Sequence, residues 1–191
     1  MINITLEQGK KLCNLARNYI EAFFTGKKVE IPENLRSILA YPKGVFVTLY
    51  NKNTHSLRGC IGYPIARYSL GRSLKDAALG AAFRDSRFSS LKREETRDIV
   101  VEVSILNELQ KIKGTTSEEI KKEIQLGRDG LVIENPFGAG LLLPQVAIEY
   151  GWKVEEFLKN LCRKAELSDD AWMDNNSKLY KFQSVVFKEQ N

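Results

Sequence analysis

The stretch LRGCIGY, residues 57–63, has the length of a strand but contains two glycines and a cysteine. A strand loses side-chain packing and backbone entropy at each glycine. Glycines are therefore expected in a strand mainly where it bulges or where another part of the chain approaches closely. The stretch predicts a strand with an unusual local geometry.

Alternate side chains of a strand point to opposite faces. One face carries the apolar side chains and one glycine: Leu57, Gly59, Ile61 and Tyr63. The other face carries Arg58, Cys60 and Gly62. If the apolar face meets the core, Arg58 and Cys60 point outward together beside a floor that glycine keeps low, as in a shallow pocket. A bulged hairpin strand with a surface arginine and a half-buried cysteine fits the pattern equally well.

The preceding segment predicts the partner of this strand. Residues 45–50 are rich in β-branched and aromatic side chains, and residues 51–56 are polar, so an antiparallel hairpin is expected. His55 lies in the connection, five residues before Cys60. That odd spacing places the two on opposite faces and argues against a Cys-His nucleophilic pair, unless a bulge at Gly59 shifts the parity. We interpret His55 as a solvated loop histidine.

Two helices are expected in the first half of the chain. Thr5 and Gln8 form a capping-box pattern before a helix from about Leu6 to Phe24 that Gly26 ends. A second, alanine-rich helix follows Pro64, and its narrow face suits close packing on a sheet. The start of this helix, with Arg67 and Arg72 nearby, favours anions.

The segment after the second helix, FRDSRF at residues 83–88, places charges between two aromatic rings. In one interpretation, Asp85 orients Arg87 or Arg84 in a polar cluster at a cleft. In the other, the two phenylalanines pin a loop that carries a surface ion pair, which contributes roughly 0–1 kcal/mol. The second interpretation is slightly favoured by the pattern alone.

The rest of the chain predicts further strands and helices. The clearest strand is 99–106, followed by a charged helix at 117–124, a second hairpin around 135–139, helices starting at Pro144 and Val154, and a final strand at 179–187. Cys162 falls on the apolar face of its helix and is expected in the core. The fold class is therefore α+β, a mainly antiparallel sheet packed with helices. Two lobes of unequal size are expected, 1–113 plus 175–191 and 114–174.

Composition and charge limit the possible functions. The chain has 191 residues, no apolar run long enough for a membrane span and no N-terminal signal pattern, so a cytoplasmic protein is expected. Three scattered cysteines and one histidine make a built-in metal site improbable. The first 100 residues carry 17 basic and 9 acidic side chains and the remainder 12 and 15, so an anionic partner should meet the first half. The same excess fits a role in solubility, which charge alone favours over nucleic-acid binding.

The chain resembles the AMMECR family along nearly its whole length. The resemblance rests on LRGCIG at 57–62, AFRDSRFSSL at 82–91, VEVSIL at 101–106, LLPQVAIEYGW at 142–152 and FLKNLCRKAEL at 157–167. It implies a two-part α+β protein without an assigned activity or established catalytic residues. It also implies Memo-type and radical-SAM proteins as partners in a shared pathway. Glu166 stands where the family often has glycine, which affects one helix end.

Three functions remain open on the sequence. As an enzyme, the protein would use Cys60 as a nucleophile or redox thiol whose pKa Arg58 lowers, with Asp85 or Glu149 as an acid or base if the fold brings it near. As a binding protein, it would hold an anionic small molecule or nucleic acid; the candidate contacts are Arg58, Gly59, Gly62, Arg67, Arg72, Arg84, Asp85 and Arg87. As an adaptor, it would dock a partner protein through an apolar patch near the glycine strand. No phosphate-loop or dinucleotide motif is present, so no cofactor is assigned.

Overall fold

The structure, a computed structural model, describes residues 4–189. Its backbone forms two compact units. Unit one comprises the described residues up to Leu106 and those from Val185 onward, and unit two comprises Asn107–Ser184. The lobes predicted from sequence have the same order along the chain and different bounds.

The helices and strands follow one another along the chain. They are α1 (Leu6–Thr25), α2 (Arg36–Ala40), β1 (Gly44–Asn51), β2 (Leu57–Tyr63), α3 (Leu70–Phe83), β3 (Ile99–Leu106), β4 (Gln110–Lys111), α4 (Ser117–Lys122), β5 (Gly130–Asn135), β6 (Gly138–Leu142), α5 (Pro144–Glu149), α6 (Val154–Lys164), β7 (Lys178–Phe182) and β8 (Ser184–Lys188). Short 3₁₀ turns occupy Glu33–Leu35, Glu94–Arg97 and Ala171–Met173. The α+β fold class is confirmed, and no helix among residues 4–189 is long and apolar enough to cross a membrane.

Unit one is built on a four-stranded sheet with the order β2-β1-β3-β8. β1 pairs antiparallel with β2 and with β3, so the predicted hairpin is confirmed. α1 and α3 pack on one face of this sheet. The core between them is aliphatic and includes Leu12, Ile20, Val47, Leu74, Val101 and Val103.

α1 matches its sequence prediction at both ends. The Thr5 side chain accepts from the backbone N–H of Gln8, and the Gln8 side chain accepts from that of Thr5, so the capping box is complete. Gly26 ends the helix with φ 67°, in the left-handed region that glycine tolerates best. The buried face of α1 includes Leu12, Cys13 and Ile20.

Unit two has a second four-stranded sheet, with the order β4-β7-β5-β6. β5 pairs antiparallel with β6 and β7, and the predicted second hairpin is the β5–β6 turn. α6 contributes Phe157, Leu158, Leu161 and Cys162 to the core of this unit. Cys162 is fully buried, as its position on the apolar face predicts.

The end of α6 is a Schellman turn without glycine. The N–H of Leu167 donates to the carbonyl of Cys162, and the N–H of Glu166 donates to that of Arg163. Glu166 has φ 59°, the left-handed conformation that costs a residue with a Cβ roughly 1–2 kcal/mol. Glu166 therefore occupies the position of this turn at which glycine is favoured.

Candidate functional site

β2 contains a bulge. Gly59 lies opposite Leu49 and Leu57 opposite Tyr50, so Arg58 is an extra residue between the two pairs. The bulge moves Leu57 to the face of Tyr50, where 38% of its surface is exposed. The prediction that Leu57 shares the core face with Ile61 was wrong, because a simple alternation does not include the extra residue.

The two glycines of β2 serve close packing on opposite faces. A Cβ at Gly59 would overlap the carbonyl oxygen of Ala81, so α3 lies directly against the strand there. A Cβ at Gly62 would overlap the ring of Phe46. The space beside Gly62 is thus filled by a neighbouring ring, and the predicted low floor of a pocket is not formed at that position.

Cys60 lies half-buried on the face opposite α3. The hydroxyl of Thr48 donates to its Sγ at 3.3 Å, and its backbone N–H donates to Asp85 Oδ2 at 2.8 Å. Burial raises the pKa of the Cys60 thiol, against smaller lowering effects of the Thr48 hydrogen bond and the Arg87 charge. The thiol is therefore protonated at neutral pH. Arg58 is not among the groups that shift this pKa, and the role of Cys60 as a nucleophile stays a prediction.

Arg58 is bound instead by Glu95. Its Nε and Nη2 donate to the two carboxylate oxygens at 3.0 and 3.1 Å, and only 14% of the side chain is exposed. The hydrogen bonds from Arg58 lower the pKa of Glu95, with a further contribution from the Lys92 backbone N–H. This two-point contact neutralises Arg58 and fixes its orientation.

Asp85 and Arg87 form a second two-point ion pair beside Cys60. Arg87 Nε donates to Oδ1 at 3.0 Å and Nη2 to Oδ2 at 2.7 Å, while Nη2 lies 3.4 Å from the Cys60 carbonyl oxygen. Hydrogen bonds from Arg87 lower the pKa of Asp85 to about 2. Asp85 orients Arg87 and not Arg84; the carboxylate is buried, while the Arg87 side chain is 51% exposed. With both oxygens engaged, Asp85 is a weak general base.

We call this end of β2 the Cys60 cluster, made of Thr48, Arg58, Cys60, Asp85, Arg87 and Glu95. Within it, each arginine faces its own carboxylate. The other sequence-predicted acid, Glu149, lies exposed in α5 of unit two, and His55 lies exposed in the β1–β2 loop with φ 56°. Among residues 4–189, no three histidine, cysteine or acidic side chains are placed to hold a metal ion.

The other end of β2 borders an open cavity. Its volume is about 320 Å³, and we call it the Tyr63 cavity. The lining consists of Tyr63, Tyr68, Arg72, Ser73, Lys75, Asp76 and Leu79. All but the first two of these residues come from α3. The start of this helix, which the sequence predicts to favour anions, therefore lines the cavity.

Polar contacts organise the wall of the Tyr63 cavity. The Tyr63 hydroxyl donates to Asp76 Oδ2, and Arg84 Nη2 donates to Asp76 Oδ1 at 2.7 Å. Both contacts lower the pKa of Asp76, the Tyr63 hydrogen bond more strongly. The guanidinium of Arg72 lies 4.0 Å from the centre of the Tyr68 ring. Within the described chain, neither Arg72 nor Lys75 has a carboxylate oxygen within ion-pair distance.

The structure therefore divides the predicted site residues. Arg58, Cys60, Asp85 and Arg87 lie together, while Arg72 and Arg84 lie at the other end of β2. Arg67 is exposed in the segment before α3, and its side chain bonds to none of residues 4–189. Sequence reasoning missed Lys75, whose signal is its spacing of three residues from Arg72 on one helix face.

Unit one has a second basic cavity, of about 370 Å³, lined by Lys10, Asn14, Arg17, Lys52, Arg97, Ile99, Val100 and Glu189. Here Arg17 is held by Glu189 at 2.7 and 2.6 Å and by the carbonyls of Thr96 and Ile99. Arg17 thus ties α1 to the end of the described chain.

With the fold and both ends of β2 described, the class of protein is clear. The family model AMMECR1 matches residues 13–187, and the chain belongs to this family. Protein PF1979 of Pyrococcus furiosus is 45% identical over 194 residues, covering 100% of this chain and 92% of that protein. Protein MJ0810 of Methanocaldococcus jannaschii is 44% identical, covering 97% and 92%. The crystal structure of the uncharacterized protein PH0010 from Pyrococcus horikoshii has a TM-score of 0.90 and 44% identity, covering 98% of this chain and 94% of that one.

Proposed function

We propose that this protein binds a small anionic ligand in the Tyr63 cavity. The observation that carries the proposal is a pair of cations, Arg72 and Lys75, which line the cavity and make no ion pair with any residue of the described chain. The only acid in the lining, Asp76, is already engaged by Tyr63 and Arg84. The cavity therefore has an excess of positive charge, as an anion requires.

The position of the two cations in α3 strengthens this proposal. Arg72 and Lys75 lie in the first two turns of a helix that begins at Leu70. Positive side chains near a helix N-terminus are disfavoured by the helix dipole, and Ser69 provides no side-chain cap there. An anion bound between Arg72 and Lys75 would offset this repulsion.

The stack of Arg72 on Tyr68 suits recognition of a carboxylate or phosphate. A guanidinium held by its face keeps its edge free to donate two parallel hydrogen bonds. The stacked geometry also lowers the conformational entropy that is lost when a ligand binds.

The protonated thiol of Cys60 favours binding over nucleophilic catalysis. The Cys60 cluster then serves to fix β2 and the segment after α3 in place. The family resemblance adds Memo-type and radical-SAM proteins as partners that would supply or use the ligand, and this part of the proposal rests on the resemblance alone.

The test is a calorimetric titration of the full chain with inorganic phosphate and with a small dicarboxylate, succinate. Arg72→Gln and Lys75→Gln should each weaken the binding of at least one of these anions by about tenfold, since each removes one charge-assisted contact. Lys52→Gln and Arg97→Gln, in the second basic cavity, are the matched controls and should have little effect. If Arg72→Gln and Lys75→Gln bind both anions as tightly as the wild type, or if only the controls lose affinity, the anion binds outside the Tyr63 cavity.

A further inference from the structure

We infer that the ligand of the Tyr63 cavity carries an extended apolar part, as in an alkyl phosphate or a long-chain carboxylate. This inference rests on the proposed function and adds the chemical class of the ligand. It starts from a second cavity that adjoins the first. We call it the Phe23 groove; its volume is about 470 Å³, and its lining is Tyr19, Ala22, Phe23, Gly26, Lys27, Lys28, Val29, Lys75 and Leu79.

The two cavities are neighbours because they share part of their walls. Lys75 and Leu79, one helical turn apart on α3, line both. The ammonium of Lys75 lies 5.8 Å from the centre of the Tyr19 ring in the groove, while the same side chain borders the Tyr63 cavity. One molecule that places its anion at Arg72 and Lys75 can therefore extend past Leu79 into the groove.

The Phe23 groove is apolar and preorganised. Phe23 lies in the wall of the groove with 62% of its surface exposed. It stacks on Phe83 with ring centres 4.1 Å apart and meets Phe24 edge-on at 5.6 Å. These contacts hold the ring in position without covering it, so an apolar chain can pack on it with little ordering cost.

The charges around the groove select an anion over a neutral or cationic amphiphile. Lys27, Lys28 and Lys75 line it, and none of the three forms an ion pair with a residue of the described chain. Both cavities are within the size range of small-molecule sites. A compact anion would occupy only the Tyr63 cavity and leave the exposed Phe23 ring in water.

The experiment compares inorganic phosphate with dodecyl phosphate at submicellar concentrations, by calorimetry on the full chain. The two probes share a head group and differ in the apolar chain, so dodecyl phosphate should bind at least about tenfold more tightly. Phe23→Ser should remove most of this difference and leave inorganic phosphate binding unchanged. Lys28→Glu, an exposed substitution at the rim of the groove, should weaken dodecyl phosphate binding without altering packing. Phe137→Ser, in an 88% exposed phenylalanine of unit two, is the control.

The outcomes separate the two proposals. Two results would mean that the ligand is a compact anion, and only the present inference would then fail. In the first, dodecyl phosphate binds no more tightly than phosphate; in the second, Phe23→Ser and Lys28→Glu leave the affinity difference between the two probes unchanged. If neither probe depends on Arg72 or Lys75, the proposed function fails as well. If an acidic amphipathic peptide binds more tightly than dodecyl phosphate and is lost in Phe23→Ser, the groove is a protein-docking surface and the inference is overturned.

Discussion

The two ends of β2 are built from similar residues and have opposite electrostatic characters. In the Cys60 cluster, Arg58 and Arg87 each meet a carboxylate through two hydrogen bonds, so the charges cancel. In the Tyr63 cavity, Asp76 is shared by Tyr63 and Arg84, and Arg72 and Lys75 form no ion pair with a residue of the described chain. An arginine beside an unusual strand motif is therefore a poor guide to binding until its partner is known.

The difference has a structural origin. The Cys60 cluster joins β2 to the segments 84–88 and 92–95, whose backbone groups need partners where they pack on the strand. The Tyr63 cavity lies where β2 ends and α3 begins, so its side chains border open space. We therefore expect substitutions in the Cys60 cluster to change stability and substitutions in the Tyr63 cavity to change binding.

The largest effect is expected for Gly59→Ala. The new Cβ would overlap the backbone oxygen of Ala81, and neither β2 nor α3 can move without disturbing the core, so unfolding free energy should fall by about 3 kcal/mol or more. Gly71→Ala in α3 is the control. Its Cβ would lie 3.3 Å from Leu39 Cβ, a tight contact that a shift of a few tenths of an ångström relieves, and the gain in helix propensity offsets that cost, so the loss should be much smaller than at Gly59. Chemical denaturation of both variants gives the comparison. Equal stabilities would mean that β2 and α3 are not in close contact.

Asp85→Asn should have the next largest effect, a loss of about 2 kcal/mol at neutral pH, since it removes a buried carboxylate that accepts charge-assisted hydrogen bonds from the half-exposed Arg87. The pKa of Asp85 is lowered to about 2 in the folded protein, below the value of about 3.9 in an unfolded chain. Its stabilising contribution is therefore complete above about pH 4 and is lost as the pH falls through about 2. Urea unfolding of wild type and variant at several pH values should give curves that converge in acid; a constant difference would contradict the assignment.

Tyr63→Phe should cost less, about 0.5–1 kcal/mol, because Asp76 is partly exposed and keeps its contact with Arg84. Tyr41→Phe, at a tyrosine that is 55% exposed, is the matched control and should be neutral. Thermal unfolding measures both. A loss as large as that of Asp85→Asn would mean that this end of β2 is as tightly built as the Cys60 cluster.

The smallest effect is a change in the alkylation rate of Cys60, measured under native conditions in which the variants are folded. Alkylation of Cys60 should be slow at neutral pH, because burial raises its pKa, and slower still in Arg87→Gln, because Arg87 is the charge that lowers it. Arg58→Gln should leave the rate unchanged, since Arg58 is not among the groups that shift this pKa. Mass spectrometry of the pH-dependent modification, with buried Cys13 and Cys162 as internal references, measures each rate. Fast alkylation with a low apparent pKa would restore the nucleophile hypothesis.

Local features of the fold were predictable from the sequence. The capping box at Thr5, the terminating Gly26 and the hairpin of β1 and β2 follow from patterns that span a few residues, and the structure has all three. Close packing at Gly59 was also indicated, since glycine in a strand is otherwise unfavourable.

The candidate site was only partly predictable, for physical reasons. The contact between Arg58 and Glu95 joins residues 37 positions apart, and no local pattern specifies it. The bulge at Arg58 reverses the face of Leu57, and one sequence cannot distinguish it from regular alternation. The excess positive charge at Lys75 depends on which lysine and arginine side chains form ion pairs in the folded protein. The composition of the chain does not show this.

The chain order of unit one has a consequence for its synthesis. β3 and β8 are neighbours in one sheet, yet the whole of unit two lies between them in sequence. Roughly 80 residues must be translated after β3 before β8 can pair with it, a delay on the order of 4–16 s at about 5–20 residues per second. During that time the nascent sheet has an open edge at β3, and Arg17 lacks its Glu189 partner. Of the four strands of this sheet, β8, which covers the edge of β3, is therefore synthesised last. Chaperones that shield exposed strand edges should bind the nascent chain in this interval.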